Sequence, residues 1–274
     1  MIELKAKLWR GVGLAVAVAA AGLAACSPGG EGGEGGGEAG EGAAVTGEAG
    51  ETAGGESGGE GGGEAGGEGG EAGAAAAYAG LAPALRTQVR LQHLKGFLLV
   101  AQKEIEAGNL PEAGALVGQG VLEVHAPAPS DFGGLDIASA NAASAALFDA
   151  KPEGRAALTR AIADITARQD AGDVEVVRRM LSIAGGLYAL VLVDGGVDPI
   201  EYQHSLGAAL AARDAFTRVE PALRARNAVR AQEARDQIDR LVALWPSTQA
   251  PETPAPTAQV AAQISRIELA LSGL

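Results

Sequence analysis

From about Leu81 onward, apolar residues recur at three- and four-residue spacings, and no stretch alternates apolar with polar positions long enough to read as a strand. Leu91, Leu94, Leu98, Ala101 and Ile105 form one stripe of a first helix. Gly108 suits a left-handed cap, and Asn109 with Glu112 has the spacing of a capping box opening a second helix, with Pro111 tolerated in its first turn. These two helices are expected to lie antiparallel. The turn Glu106-Ala107-Gly108-Asn109 is echoed by Asp170-Ala171-Gly172-Asp173. The echo predicts a second antiparallel pair, Glu153 to Ala171 and Asp173 to Asp194, with Val177, Met180, Ala184, Leu187 and Val191 as the stripe of its second helix.

The apolar run Met180 to Val193 is bounded by Arg178, Arg179 and Asp194 and is short of the roughly 20 residues a membrane span requires, so it reads as a core helix. After Gly195 and Gly196, Asp198 is placed to cap a further helix, with Pro199 in its first position and Glu201 in its third. That helix is expected to run to about Arg218 and another from Pro221 to Trp245. The Pro-rich stretch Pro246 to Thr257 breaks the chain, and a last helix, Ala258 to Ser272, shows Val260, Ile264, Ile267 and Leu271 on one face. Residues 76–274 are therefore predicted to form an all-α domain, a helical bundle built from antiparallel hairpins.

Upstream of this domain the pattern is different. Lys5, Lys7 and Arg10 precede fifteen residues, Gly11 to Ala25, without a charged or hydrogen-bonding side chain. A basic segment followed by a short apolar one is the layout of an export signal. Leu23-Ala24-Ala25-Cys26 resembles the lipobox of bacterial lipoproteins. The resemblance implies cleavage before Cys26, a diacylglycerol on its thiol, and a mature chain held to a membrane of the cell envelope with its domain in the periplasm. Ser27 after the cysteine, in place of Asp, favours the outer over the inner membrane. Cys26 is the chain's single cysteine, which excludes an intramolecular disulfide.

From Ser27 to Ala75 the sequence is almost wholly Gly, Glu and Ala, with Gly-Glu-Ala-Gly recurring four times and eleven glutamates in all. Such a composition buries too little apolar surface to offset the entropy of ordering it, so residues 26–75 are expected to be a lipid-anchored, disordered linker. The linker carries most of the surplus acid behind the net charge of −13. The overall acidity therefore says little about what the domain binds, and no basic stripe points to nucleic acid.

Candidate chemistry rests on three histidines, His93, His125 and His204. Glu201 and His204 have the Glu-x-x-His spacing that places a carboxylate and an imidazole on one helix face, as in helical bundles holding two metal ions. Metal ligation by His204, Glu201, His93 and His125 is accordingly one expectation, with a divalent transition metal or haem as the group held. Glu201 also has a local explanation as the capping-box partner of Asp198. His93 and Glu104 flank the first stripe about 16 Å apart, at about 1.5 Å per residue, too far to share an ion. His125 follows Glu123 near a helix end, where an imidazolium would complement the helix dipole. Iron-linked imelysin-like lipoproteins are also helical and exported, but their His-x-x-Glu arrangement is absent: Gly96, Ala128 and Gly207 stand three positions after the histidines.

No phosphate loop and no nucleophile with a defensible base is present, so the chain is read as non-enzymatic. Arg218, Arg224, Arg226 and Arg230 gather positive charge around the start of the helix expected from Pro221, with Glu220 among them, and suggest a patch for an anionic partner. Trp245 is the aromatic residue expected to be exposed. The leading functional expectation is a membrane-tethered binding or scaffold module whose partner is another envelope protein or an anionic envelope polymer. The alternative is a periplasmic metal or haem binder. No cofactor is expected under the leading reading.

Overall fold

The computed structural model describes residues 76–193, 195–272 and 274. The expected signal, Cys26 and the Gly/Glu-rich linker lie outside the described residues. Among those described, the chain forms eight α-helices: α1 Pro83–Glu106, α2 Leu110–Gly120, α3 Ala138–Phe148, α4 Glu153–Thr166, α5 Val174–Tyr188, α6 Pro199–Arg226, α7 Ala228–Val242 and α8 Thr257–Leu271. A π-helical turn, Val121–His125, prolongs α2, a 3-10 turn spans Pro129–Phe132, and a two-stranded hairpin pairs Leu192–Val193 with Gly196–Val197. The fold is all-α, as the periodicity predicts.

The predicted stripes are the core. Leu91, Leu94, Leu98, Ala101 and Ile105 of α1 are buried, as are Val177, Met180, Ala184 and Leu187 of α5 and Val260, Ile264, Ile267 and Leu271 of α8. The helices close into two rings. In the first, α1 packs on α2, α2 on α3, α3 on α4, and α4 returns to α1; in the second, α5 packs on α6, α6 on α7, α7 on α8, and α8 returns to α5. The rings share a seam in which α1 lies against α6 and also touches α5. A helix flanked on several sides has no solvent face, which is why Gln92 to Leu98 of α1 and Tyr202 to Ala212 of α6 are buried without interruption.

The seam is closed by two glycines. A Cβ built on Gly96 would stand 2.7 Å from the carbonyl oxygen of Gly207, and one built on Gly207 would stand 3.1 Å from that of Gly96. Only residues without side chains permit backbones to approach this closely.

Several expectations are corrected. The second hairpin is not formed by α4 and α5: α4 pairs with α3, and α5 with α6. The segment between them is instead fastened to α1, where Gln88 donates to the Arg168 carbonyl at 3.3 Å and Lys95 to Gln169 at 3.3 Å. Gly172 then passes under α6, with φ +97° and its missing Cβ 2.7 Å from Val219. α5 ends at Tyr188 rather than continuing to Asp194, because the chain turns into the hairpin and Asp198 N–H donates to the Val191 carbonyl at 2.8 Å.

α6 runs through Pro221 to Arg226, and the break falls at Asn227, whose side chain caps α7 by accepting from Arg230 N–H at 3.1 Å. Neither predicted capping box forms at its carboxylate. Asn109 donates to Glu104 at 2.6 Å instead of accepting from α2, and Asp198 accepts from the amides of Ile200 and Glu201 without a return bond from Glu201. Trp245 is buried, edge-on to Tyr188 at 5.1 Å and donating to Ser205 at 3.2 Å; among the described residues the exposed aromatic is Phe148, at 63 %. No helix among the described residues is long and apolar enough to cross a membrane.

Candidate functional site

Three polar clusters are set into or against the seam. In the first, α1 supplies His93 and Phe97, which share a face at i, i+4 spacing, and α6 supplies His204. The rings form a ladder: Tyr78 to His93 at 6.2 Å, His93 to Phe97 at 5.6 Å, and Phe97 to His204 at 4.7 Å between centroids. Gly120 lets α2 close over Phe97, since a Cβ there would stand 2.7 Å from the Phe97 Cβ. Tyr78 Oη and His93 Nδ1 are 2.5 Å apart, and the Arg90 guanidinium sits 4.2 Å over the Tyr78 ring. From the end of α2 and its π turn, Gln119 Oε1 lies 3.3 Å from His204 Nε2 and Glu123 Oε2 lies 3.6 Å from His204 Nδ1.

The imidazoles are kept neutral. Burial lowers His93 to about 3, helped by His204 and Arg90, and burial lowers His204 to about 4 against the opposing pull of Asp198. His93 Nε2 is buried without a hydrogen-bond partner.

The second cluster surrounds Glu104, which is wholly buried on α1. Its Oε1 accepts from Gln203 of α6 at 3.1 Å and from Gln249 of the Pro-rich loop at 3.0 Å, and its Oε2 accepts from Asn109 at 2.6 Å. Three neutral amides from three segments thus converge on one carboxylate. The third cluster centres on Asp214 of α6, 2.9 Å from Lys95 Nζ and 2.5 Å from Arg218 Nη1. Gln92 joins it, donating to Asp214 at 3.0 Å and accepting from Arg218 at 2.6 Å. Burial alone would raise the Asp214 carboxyl, but hydrogen bonds from Lys95 and Gln92 and the neighbouring positive charges hold it below the usual carboxylate range.

The residues singled out in the sequence are dispersed among these surroundings. His93 and His204 meet at Phe97. His125 lies apart, its ring 4.7 Å from Phe132, with burial lowering its pKa. Glu201 Oε2 is buried without a partner, and burial, then Asp198, raises its carboxyl to about 7. Among the described residues no three His, Cys, Asp or Glu side chains are grouped closely enough to hold a metal ion. Of the four arginines, Arg218 turns inward to Asp214, Arg224 pairs with Glu220 at 2.8 Å, Arg226 reaches the Leu274 carbonyl at 3.2 Å, and Arg230 lies exposed on α7.

Sequence pattern gives no sign of Tyr78, Gln119 or Gln249 as partners, because each is brought in by a loop or a helix end. The polar residues flanking the α1 stripe, Gln92 and Lys95, carry the one available signal. They sit where a two-layer helix would expose them, and α1 is covered on both sides.

Residues 166–274 match a family model described as an iron permease-associated 4-helix bundle domain. No curated protein and no solved structure matches the chain. The matched stretch takes in all of α5, α6, α7 and α8, so the second ring is, in extent and helix number, what this chain shares with that bundle.

Proposed function

We propose that this chain is a membrane-tethered, non-enzymatic envelope module that works beside an iron permease, with the ring α5–α8 as the part that engages it. The observation carrying this reading is the coincidence of the matched residues with one closed four-helix ring. The anchor expected at Cys26 would keep the ring at a membrane, where a permease resides, and the Gly/Glu-rich segment would give it reach. Iron is then the permease's cargo. The buried histidines act as packing and hydrogen-bonding groups in this reading, consistent with their low pKa values and with the lack of a three-ligand group among the described residues.

The test is iron accumulation in cells. Deleting the gene should lower uptake of labelled iron several-fold under iron limitation. The full chain should restore it, and the Cys26→Ser chain should restore little of it. Unchanged uptake in the deletion strain would contradict the proposal.

A further inference from the structure

We propose that the groove between α1 and α7, floored by α6, binds a small organic polyanion of the di- or tricarboxylate class. The groove encloses about 320 Å³, at the lower end of the range for small-molecule sites. In a chain of net charge −13 it gathers three cations, Lys103 from α1, Arg213 from α6 and Arg235 from α7. Lys103 and Arg213 make no ion pair among the described residues. Arg235 is already paired with Glu220, stacked 4.9 Å from the Phe216 ring centroid and donating to Thr217 Oγ1 at 3.1 Å, so it is fixed in place and Lys103 and Arg213 are the two cations left to meet an anion.

Two acids also line the groove. Asp214 is already engaged by Lys95 and Arg218 and so repels an incoming anion little. Glu106, exposed at the end of α1, is the acid that remains on the rim.

The choice of an organic anion follows from the walls. Leu99 and Leu210 offer apolar surface to a carbon skeleton, while guanidinium groups pair with carboxylates in a bidentate fork. Every lining residue lies within α1, α6 or α7, away from the first turn, so the helices present no free amide donors of the kind that favour inorganic phosphate.

Calorimetric titration of the full mature chain in detergent at low salt, with citrate, succinate and inorganic phosphate in turn, tests the proposal. Citrate should bind one to one, at least tenfold tighter than phosphate. Lys103→Gln with Arg213→Gln should weaken citrate at least tenfold. Glu106→Gln should tighten it about twofold to fivefold at low salt, where removing a rim charge is least screened, a gain that misfolding cannot imitate. No saturable citrate binding, phosphate binding equal to citrate, or a double variant that binds as the parent does would overturn it. The result is independent of the permease proposal, which is read by iron uptake.

Discussion

Taking the protein from pH 7 to pH 4 is expected to cost the domain much of its stability. His93 and His204 are lowered in the folded state to about 3 and about 4 from an ordinary 6.5. Between those values and 6.5 the unfolded chain binds protons that the folded one refuses. Their contribution is thus fully present above about pH 6.5 and is lost as pH falls through the window. At about 1.36 kcal/mol per pH unit, two such groups together are worth on the order of 5 kcal/mol, comparable with the whole stability of many domains. Glu201 acts in the opposite sense. Its folded pKa is raised to about 7, so the cost of ionising it is absent below about 4.5 and grows as pH rises towards 7. Thermal melts by circular dichroism from pH 4 to 8 should show a steep loss on the acid side, and His93→Asn with His204→Gln should flatten it. An acid limb of the same steepness in the double variant would show that other groups set it.

Replacing Glu104 with Ala should be among the most damaging single changes. It removes the acceptor shared by Asn109, Gln203 and Gln249 and leaves one buried amide, Gln203, one half-buried, Asn109, and the more exposed Gln249 without it. At about 1–3 kcal/mol for each buried group left unsatisfied, and after allowing for the desolvation cost that disappears with the carboxylate, the loss should be about 3 kcal/mol. For a domain of this size that lowers the melting midpoint by roughly 6–12 °C. Glu104→Gln should fall between, because it keeps one acceptor oxygen but sets an amide against the remaining donors. Denaturant titration measures both, and a Glu104→Ala chain within 1 kcal/mol of the parent would remove the cage from the account.

Glu104 also shows where the sequence stops informing. The stripes of α1, α5 and α8 are legible because each alternates apolar and polar positions at helical spacing, and Gly108, Asp173 and Asp198 mark boundaries through local backbone chemistry. α3 is not legible. Its run of Ala, Ser and Asn has almost no stripe, and it is held by close approach to α2, where a Cβ on Gly114 would stand 2.4 Å from the Phe148 amide nitrogen. Asn109 has the spacing of a cap, but a buried carboxylate five residues back claims its side chain. Pro221 looks like a helix start, yet tertiary packing carries α6 through it and the break waits for Asn227. The glycines of the seam are visible as Gly96 and Gly207 inside helical patterns, but that each faces the other is a property of the topology alone.

The candidate site follows the same division. His93, His204 and Glu201 were all marked by residue type and spacing. What the spacing could not contain is that Phe97 stands between the two histidines, that Gln119 from the end of α2 and Glu123 from the π turn approach His204, and that Glu201 Oε2 is buried without a hydrogen-bond partner. Of the arginine group, Arg218 is drawn inside by Asp214, an acid whose role depends on Lys95 more than a hundred residues upstream.

The most direct measurement of the central claim is binding of the full mature chain, in detergent, to a purified iron permease from the same membrane, with an unrelated transporter as reference. Saturable binding to the permease is expected, surviving the Lys103→Gln and Arg213→Gln changes and weakened at least tenfold by charge reversals on the exposed face of α7, such as Arg230→Glu with Arg240→Glu. Binding no tighter than to the unrelated transporter would contradict it.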